Sequence, residues 1–342
     1  PLAHPFETSF GLETRRQCIL VAASAGGLTG WGECVALDRP SYSSETIGTA
    51  WHILEDFLIP EILKISWREI NDFLEPLAWV RGNPMARAGL QGAAWDLLAQ
   101  SQNLSLAEKL AQQYPEGHRE RVPVGVSIGI QPSIQLTLDR IEKFLEEGFS
   151  RIKLKIKPGW DLDLLQATRE QFGDIGLMVD ANSAYTMAEL EILKRMDQFE
   201  LIMLEQPLEH NDIYQHSQLQ EMLKTPICLD ESITSPALAA WAIKIGACQM
   251  INIKPGRVGG LWETRLIHDI CRVEGIPVWC GGMLETGVGR AANLAAASLP
   301  NFLLPTDNGP TARYWEEDIV EEKFTLNKED STITVPNRLG LG

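Results

Sequence analysis

The sequence lacks the cysteine patterns of a disulfide framework or a zinc site. Its 342 residues include six cysteines, and no two of them form a Cys-x-x-Cys pair. No secretory leader is recognisable, so we interpret the cysteines as reduced packing residues of a cytoplasmic protein. The chain opens at Pro1 without an initiator methionine, and we expect that residues precede it.

The sequence also lacks an apolar segment long enough to span a membrane, a low-complexity tract and a basic tail. Positive charge is scarce: 30 Lys and Arg stand against 46 Asp and Glu, for a formal net charge of −16. Nucleic acid or an anionic membrane would repel such a chain, so neither is an expected partner. A local cationic pocket is still compatible with this charge, and we expect the assembly to be a homo-oligomer.

Short apolar runs that end in a charged residue recur at a nearly constant interval. The charged residues are Lys155, Asp180, Glu205, Asp230 and Lys254, at steps of 25, 25, 25 and 24 residues. One strand, one helix and two short loops fill such a step, which is typical of a parallel (β/α) barrel. The carboxyl ends of barrel strands converge on one face, so these five side chains are predicted to share one mouth.

The interval divides the chain into two predicted domains. Residues 119–314 form the TIM-type barrel, and residues 1–118, which lack the interval, form an α+β capping domain. The tail, residues 315–342, completes the cap, and its strand-like segment 331–335 is expected to add an edge there. Residues 6–14 are predicted to be either a lid over the barrel mouth or an ordinary hairpin connection.

The predicted cap contains a pair of strands and a helix. Strands at 18–22 and 29–35 are joined by a Gly26-Gly27 turn. A helix begins after Asn83, a plausible capping residue, and its Ala- and Gly-rich body is expected to pack closely against another element.

Lys153 and Lys155 are predicted to face the barrel interior together, because residues two apart in a strand point to the same side. The alternative is a solvated, lysine-rich edge strand. The three carboxylates that follow favour the interior, since they would otherwise be unopposed charges. Asp180, Glu205 and Asp230 are hard oxygen donors that suit Mg²⁺ (or Mn²⁺) rather than zinc, although each alone could be a helix cap or loop anchor.

Two further groups follow Lys254. Arg257 is either a surface ion-pair partner or a second cation that lowers the pKa of Lys254. The Gly-rich segment 281–290 precedes and opens a helix, and its backbone N–H groups form either an anion site or a tight turn without a ligand.

Lys-x-Lys at 153–155, the three carboxylates and Lys254 resemble the enolase superfamily, in its muconate-lactonizing-enzyme branch, over nearly the whole chain. Segments 157–161, 281–290 and 313–315 are similar to the group of o-succinylbenzoate synthases and N-succinylamino acid racemases. The resemblance implies a (β/α)7β barrel that binds Mg²⁺ and a small-molecule carboxylate substrate. Dipeptide epimerases are disfavoured because Gly281-Gly282-Met283 stands where the resemblance expects Asp-x-Asp.

The same resemblance implies roles for individual residues. Lys155 would take the α-proton and return it to the departing hydroxyl in a syn dehydration of menaquinone biosynthesis, with Lys153 contacting the carboxylate and Lys254 on the other face. The implied substrate contacts are Ser127, Asn182, Arg257 and the amides of Gly282 and Met283. A racemase, a bifunctional enzyme and a non-catalytic metal- or carboxylate-binding barrel are the alternatives.

Overall fold

A computed structural model describes residues 1–8 and 11–342 of the chain. Its strands are β1 Phe6–Thr8, β2 Gly11–Glu13, β3 Ile19–Ala25, β4 Leu28–Cys34, β5 Arg121–Pro123, β6 Val126–Ile128, β7 Arg151–Lys155, β8 Gly176–Asp180, β9 Leu204–Glu205, β10 Ile227–Leu229, β11 Met250–Ile253, β12 Val278–Cys280 and β13 Thr332–Thr334. Its α-helices are α1 Ile47–Ile53, α2 Ile59–Ile62, α3 Ile70–Leu74, α4 Pro84–Ser101, α5 Leu106–Ala111, α6 Ile134–Glu146, α7 Leu162–Phe172, α8 Leu190–Arg195, α9 Ile213–Met222, α10 Pro236–Lys244, α11 Pro255–Val258, α12 Leu261–Val273 and α13 Gly287–Ala297. A π-helical turn at Leu54–Leu58 joins α1 to α2, and 3₁₀ turns lie at Glu75–Leu77, Met187–Glu189, Met196–Phe199 and Thr311–Arg313.

Strands β6 to β12 form one parallel sheet in chain order. Residues 302–306 close it as an eighth segment: Leu303 N donates to Val278 O of β12 at 3.0 Å, and Gly125 N, just before β6, donates to Thr306 O at 2.8 Å. A helix follows each of the seven sheet strands before the next segment. The predicted (β/α)7β barrel is confirmed.

Side chains alternate between the two faces of β7, and this alternation explains how two lysines point into the barrel interior. Ile152 and Leu154 are buried in the main apolar core, whereas Lys153 and Lys155 alternate with them. Lys153 is paired across the sheet with Met178, and Met178 belongs to a separate apolar cluster with Met203, Cys228 and Trp279. This second cluster fills the barrel interior below the lysines.

The cap is built on close contact between the β3–β4 hairpin and α4. A Cβ added to Gly32 of β4 would lie 2.0 Å from Gly89 O of α4, and one added to Gly89 would lie 2.8 Å from Cys34 Cβ. Only glycine permits this approach, so the predicted packing role of the Ala- and Gly-rich helix is confirmed, as is the hairpin turn at Gly26-Gly27.

Two local predictions need correction. Asn83 precedes α4, but its side chain makes no capping bond; the Glu45 carboxylate accepts from Met85 N at 2.8 Å and from Ala86 N at 3.1 Å instead. A carboxylate reaching the helix from elsewhere in the cap satisfies these donors more strongly than a local amide would.

The tail is the second correction. β13 pairs antiparallel with β5, at the entrance to the barrel, rather than adding an edge to the β3–β4 hairpin. The last residues do reach the first 118: Gly340 N donates to Leu104 O at 2.9 Å. The predicted bounds 1–118 and 119–314 stay predictions.

The described residues contain no helix that is both long enough and apolar enough to cross a membrane. All six cysteines, each within the described ranges, are free thiols, and five of them are buried.

Candidate active site

The sheet register brings the strand-end charges to one mouth of the barrel. Lys155 is paired with Asp180 across β7 and β8, and Asp180 with Glu205 across β8 and β9. Asp230 and Lys254 directly follow β10 and β11. All five side chains are buried. The structure therefore gathers the residues that the regular spacing predicts to meet.

Lys155 is held between a carboxylate and an amide. Its Nζ lies 2.5 Å from Asp180 Oδ2 and 2.7 Å from Asn182 Oδ1. Asn182 has a φ of 41° and donates through Nδ2 to Glu231 Oε1 at 2.8 Å. The tight turn after β8 thus aims the amide oxygen at the lysine.

Lys153 lies deeper and contacts three carboxylates. Its Nζ is 2.5 Å from Asp307 Oδ2, 3.1 Å from Glu205 Oε2 and 3.4 Å from Asp180 Oδ2. Asp307 also accepts from Arg151 Nη1 at 2.7 Å. Burial opposes the charged form of Lys153, but these three acids outweigh it and raise its pKa.

Lys254 stands in a second cluster. Its Nζ is 2.7 Å from Asp230 Oδ2 and donates to the Tyr42 hydroxyl at 3.2 Å. Arg257, which is fully buried, forms an ion pair with the other oxygen of Asp230. Burial acts to lower the pKa of Lys254, but the acidic groups around it, Tyr42 and Glu231 foremost, raise it above its ordinary value. The direction is therefore opposite to the lowered pKa of Lys254 that was one of two expectations for Arg257.

The carboxylates differ in their electrostatic surroundings. Burial alone would raise the pKa of Asp180, but Lys155 and Lys153 outweigh it and hold that pKa at about 2. Burial, and then the nearby Asp180, raise the pKa of Glu205. Asn252 fixes Glu205 by donating to its Oε1 at 2.7 Å.

A cavity of about 450 Å³ opens from the lysines toward the cap. Its lining comes from the N-terminal segment up to β1, from the barrel, and from residues 310–314. Its lining includes Leu2, His4, Pro5, Phe6, Ser127, Arg140, Phe144, Lys153, Lys155, Lys254, Gly282, Leu284, Asp307, Arg313 and Tyr314. The barrel lysines Lys153, Lys155 and Lys254 thus line one space large enough for a small carboxylate substrate.

Two of the predicted substrate contacts line this cavity. They are Ser127, on β6, and Gly282, after β12. Among the described residues, no hydrogen-bond partner is found for the buried Ser127 Oγ. An unsatisfied hydroxyl beside the lysines is what a substrate contact would require.

The other three predicted contacts are not part of the lining. Asn182 holds Lys155, and Arg257 holds Asp230. Met283 N donates to Glu285 Oε2 at 2.8 Å, so this amide is engaged within the protein. Their positions make Asn182 and Arg257 supports of charged groups rather than walls of the cavity.

The protein's own carboxylates occupy the first turn of α13, where an anion site was one of two expectations. Glu33 of β4 accepts from Thr286 N at 3.1 Å and Gly289 N at 2.9 Å. Gly287 N donates to Asp318 Oδ1 at 2.8 Å. These bonds tie the cap and the tail to the barrel and leave that turn without a site for an external anion.

The segment predicted as a lid or hairpin is partly described. β1 and β2 pair antiparallel, with Phe6 opposite Glu13, and Phe6 lines the cavity. Ser9 and Phe10 lie outside the described residues. A hairpin is therefore present, and its movement as a lid stays a prediction.

The three predicted Mg²⁺ ligands have suitable donor atoms, but they are not arranged around a common metal position. Within residues 1–8 and 11–342, no three acidic, His or Cys side chains are arranged to hold a metal ion. Asp180 and Glu205 bond to lysines, and Asp230 bonds to Lys254 and Arg257. The donor chemistry still fits Mg²⁺, since all three acids offer hard oxygens. Nearby Glu231 Oε2 is also buried, with no partner in the described part of the chain.

The barrel, its cap and the lysine-carboxylate mouth define a known class of enzyme. Residues 137–342 match the "Enolase C-terminal domain-like" family, and residues 1–110 match the "Mandelate racemase / muconate lactonizing enzyme, N-terminal domain" family. The chain belongs to the enolase superfamily, in the mandelate racemase and muconate lactonizing enzyme group.

Similar proteins within this class include synthases and racemases. The chain is 48% identical to an o-succinylbenzoate synthase of Geobacillus kaustophilus, over all of the chain and 89% of that protein. It is 47% identical to an N-succinylamino acid racemase of Amycolatopsis sp, over all of the chain and 91% of that protein. A crystal structure of an enolase-superfamily member from Enterococcus faecalis matches with a TM-score of 0.93 and 41% identity, covering 100% of this chain and 91% of that one.

Several residues at the barrel mouth were not predicted from the sequence. Asp307 directly follows the closing segment, whose run Phe-Leu-Leu-Pro-Thr is a further mainly apolar run that ends in a charge. Following apolar runs that end in a charge beyond Lys254, without requiring the interval, would have found it. Tyr42 and Asn252 carry no comparable signal, because one lies outside the helices and strands and the other lies inside a strand.

Proposed function

We propose that the enzyme removes the proton next to a carboxylate and dehydrates a succinyl-hydroxycyclohexadiene carboxylate to o-succinylbenzoate, a step of menaquinone biosynthesis. The observation that carries the proposal is that Lys153, Lys155 and Lys254 line one cavity. The synthase names of the relatives in Geobacillus and Bacillus support this choice of substrate.

Lys155 is proposed as the base. Its Nζ takes the α-proton and returns it to the hydroxyl that leaves from the same face, so a single amine serves both steps of a syn elimination. Lys153 contacts the substrate carboxylate, where removal of the proton adds negative charge. At about 4 Å and an effective dielectric constant of about 20, one ammonium stabilises a unit negative charge by roughly 4 kcal/mol.

Asp180, Glu205 and Asp230 are proposed to hold Mg²⁺, with Mn²⁺ as a substitute. When bound, the divalent ion supplies further stabilisation of negative charge on the substrate carboxylate. Displacement of water from the cavity by the bound substrate would strengthen each of these charge interactions.

Racemisation of an N-succinylamino acid is the second candidate, and the position of Lys254 favours it. β7 and β11 are four places apart in a ring of eight segments, so Lys155 and Lys254 approach from opposite walls. Lys254 would then remove or deliver the proton on the face away from Lys155. In the synthase reaction the same ammonium would only stabilise charge.

Steady-state kinetics with both substrates test the proposal. We expect Mg²⁺-dependent dehydration with a kcat/KM above that for racemisation. Faster racemisation would make the second candidate the main function. Absence of both reactions, with carboxylate binding retained, would indicate a non-catalytic barrel and contradict the proposal.

Metal binding is tested separately by calorimetry with Mg²⁺. Asp180→Asn is expected to abolish binding, whereas Asp330→Asn, which changes an exposed aspartate paired with Arg121, is expected to leave it intact. Unchanged Mg²⁺ affinity in the first variant would remove Asp180 from the proposed ligand set.

A further inference from the structure

Asp307 joins two cations inside the barrel. Its Oδ2 lies 2.5 Å from Lys153 Nζ and its Oδ1 lies 2.7 Å from Arg151 Nη1, and its side chain is 11% exposed. It directly follows the closing segment, and its backbone N donates to Cys280 O at 3.1 Å. The carboxylate is therefore anchored to the barrel wall and also lines the cavity.

Asp307 differs in one respect from the other acids that contact Lys153. Asp180 and Glu205 are the two others, and both belong to the proposed Mg²⁺ ligand set. Asp307 alone has no part in that set. It is thus the acid whose contact with Lys153 does not compete with metal binding.

The neighbours of Asp307 hold it in a fixed orientation. Arg151 Nη2 donates to Pro305 O at 2.8 Å, so the arginine is fastened to the same closing segment. The indole of Trp279 lies beneath both cations, 5.4 Å from the Arg151 guanidinium carbon and 4.8 Å from Lys153 Nζ. Trp279 is fully buried, which leaves the cations little room to move.

We propose that Asp307 is a positioning residue for the reaction: it holds the Lys153 ammonium at the cavity, where that ammonium meets the substrate carboxylate. The inference rests on the proposed function, because it assigns Lys153 a substrate contact. Asp307 itself acts through Lys153. Arg151 fixes the opposite oxygen of Asp307 and so sets the direction in which the other oxygen points.

The test is a double-mutant cycle between Asp307→Asn and Lys153→Met, with o-succinylbenzoate and Mg²⁺ binding each measured by calorimetry. Asp307→Asn is expected to weaken o-succinylbenzoate binding about 10- to 100-fold, the range for losing a charged hydrogen bond, while Mg²⁺ affinity changes much less. In the Lys153→Met background the same substitution is expected to cause no further loss. A merely structural role would weaken binding of both ligands and would do so in both backgrounds.

The variants include controls for charge and for folding. Asp330→Asn removes an exposed aspartate that pairs with Arg121 and is expected to leave o-succinylbenzoate affinity unchanged. Arg151→Met/Asp307→Asn removes one cation and one anion together, so it answers the same question if Asp307→Asn alone does not fold. Equal losses in both Lys153 backgrounds, or no loss in either, overturn the inference.

Failure of the proposed function gives a different pattern. Wild-type protein that neither binds o-succinylbenzoate nor forms it contradicts the proposed function and this inference with it. Wild-type protein that does both, while Asp307→Asn binds o-succinylbenzoate equally well, contradicts the inference alone.

Discussion

Lys155 and Lys254 reach one cavity from opposite walls of the barrel. They lie at the ends of β7 and β11, which are four places apart among eight segments, and each ammonium is bonded to a different aspartate. A flat substrate bound between them would present one face to each amine. This relationship makes both proposed reactions possible in one site.

Replacing Lys155 with Ala should abolish dehydration, because Lys155 is the proposed base and the neighbouring Lys153 is assigned to the substrate carboxylate instead. A positioned base contributes about 10²- to 10⁴-fold, and the rate is expected to fall at least that far. Lys157→Ala is the matched control, since Lys157 is an exposed lysine just beyond the same strand. Retained dehydration in the first variant would contradict the role of Lys155.

Replacing Lys254 with Ala should damage racemisation far more than substrate binding. The proton on the far face then has no acceptor, so kcat for racemisation is expected to fall by a factor of about 10² or more, with a smaller change in affinity. Lys244→Ala, at an exposed position at the end of α10, should behave as wild type. Equal losses of kcat and affinity would argue against two-base chemistry.

Asp307 should make stability depend on pH in acid. Burial alone would raise the pKa of its carboxyl, but Lys153 and Arg151 lower it below the ordinary value of about 3.9. A lowered folded-state pKa stabilises the protein above that ordinary value, and the contribution is lost as pH falls below it.

Urea unfolding at about pH 5 and about pH 3 checks this expectation. As the pH is lowered, the free energy of unfolding should fall less steeply for Asp307→Asn than for wild type. The two slopes should differ by at most about 1.4 kcal/mol per pH unit. Identical slopes would show that Asp307 is not held as a carboxylate by its two cations.

Replacing each of two glycines with alanine should change the stability of the protein in opposite directions. Gly32→Ala places a Cβ 2.0 Å from Gly89 O and should destabilise the cap by about 3 kcal/mol or more. Gly48→Ala lies in α1, with its nearest contact at 3.9 Å, and should stabilise by about 0.5–1 kcal/mol through helix propensity. Thermal unfolding measures both, and a neutral Gly32→Ala would contradict the close packing of β4 on α4.

The barrel was predictable because its strands are buried on both faces and end in charges. That pattern placed Lys155 beside Asp180 and Glu205 without any knowledge of the structure. What each charge contacts could not be obtained in the same way. Met283 N was expected to meet substrate, but Glu285, two residues along, takes it.

Contacts between distant segments were the other limit. Tyr42 reaches Lys254 across 212 residues, and Glu33 reaches Thr286 across 253. Such pairings depend on how the cap lies on the barrel, which no local periodicity encodes. Asp307 could have been predicted from the sequence, but only by following apolar runs beyond the point where the regular interval ends.

The central claim is that Lys155 takes a proton from the carbon next to a carboxylate. It is tested most directly by incubating the enzyme with Mg²⁺ and each candidate substrate in D₂O and following the α-hydrogen by NMR. We predict deuterium incorporation or dehydration by wild-type enzyme and neither by Lys155→Ala, which should still fold and bind Mg²⁺. Wild-type enzyme that leaves every α-hydrogen in place, or a Lys155→Ala variant that exchanges it at the full rate, would contradict the account.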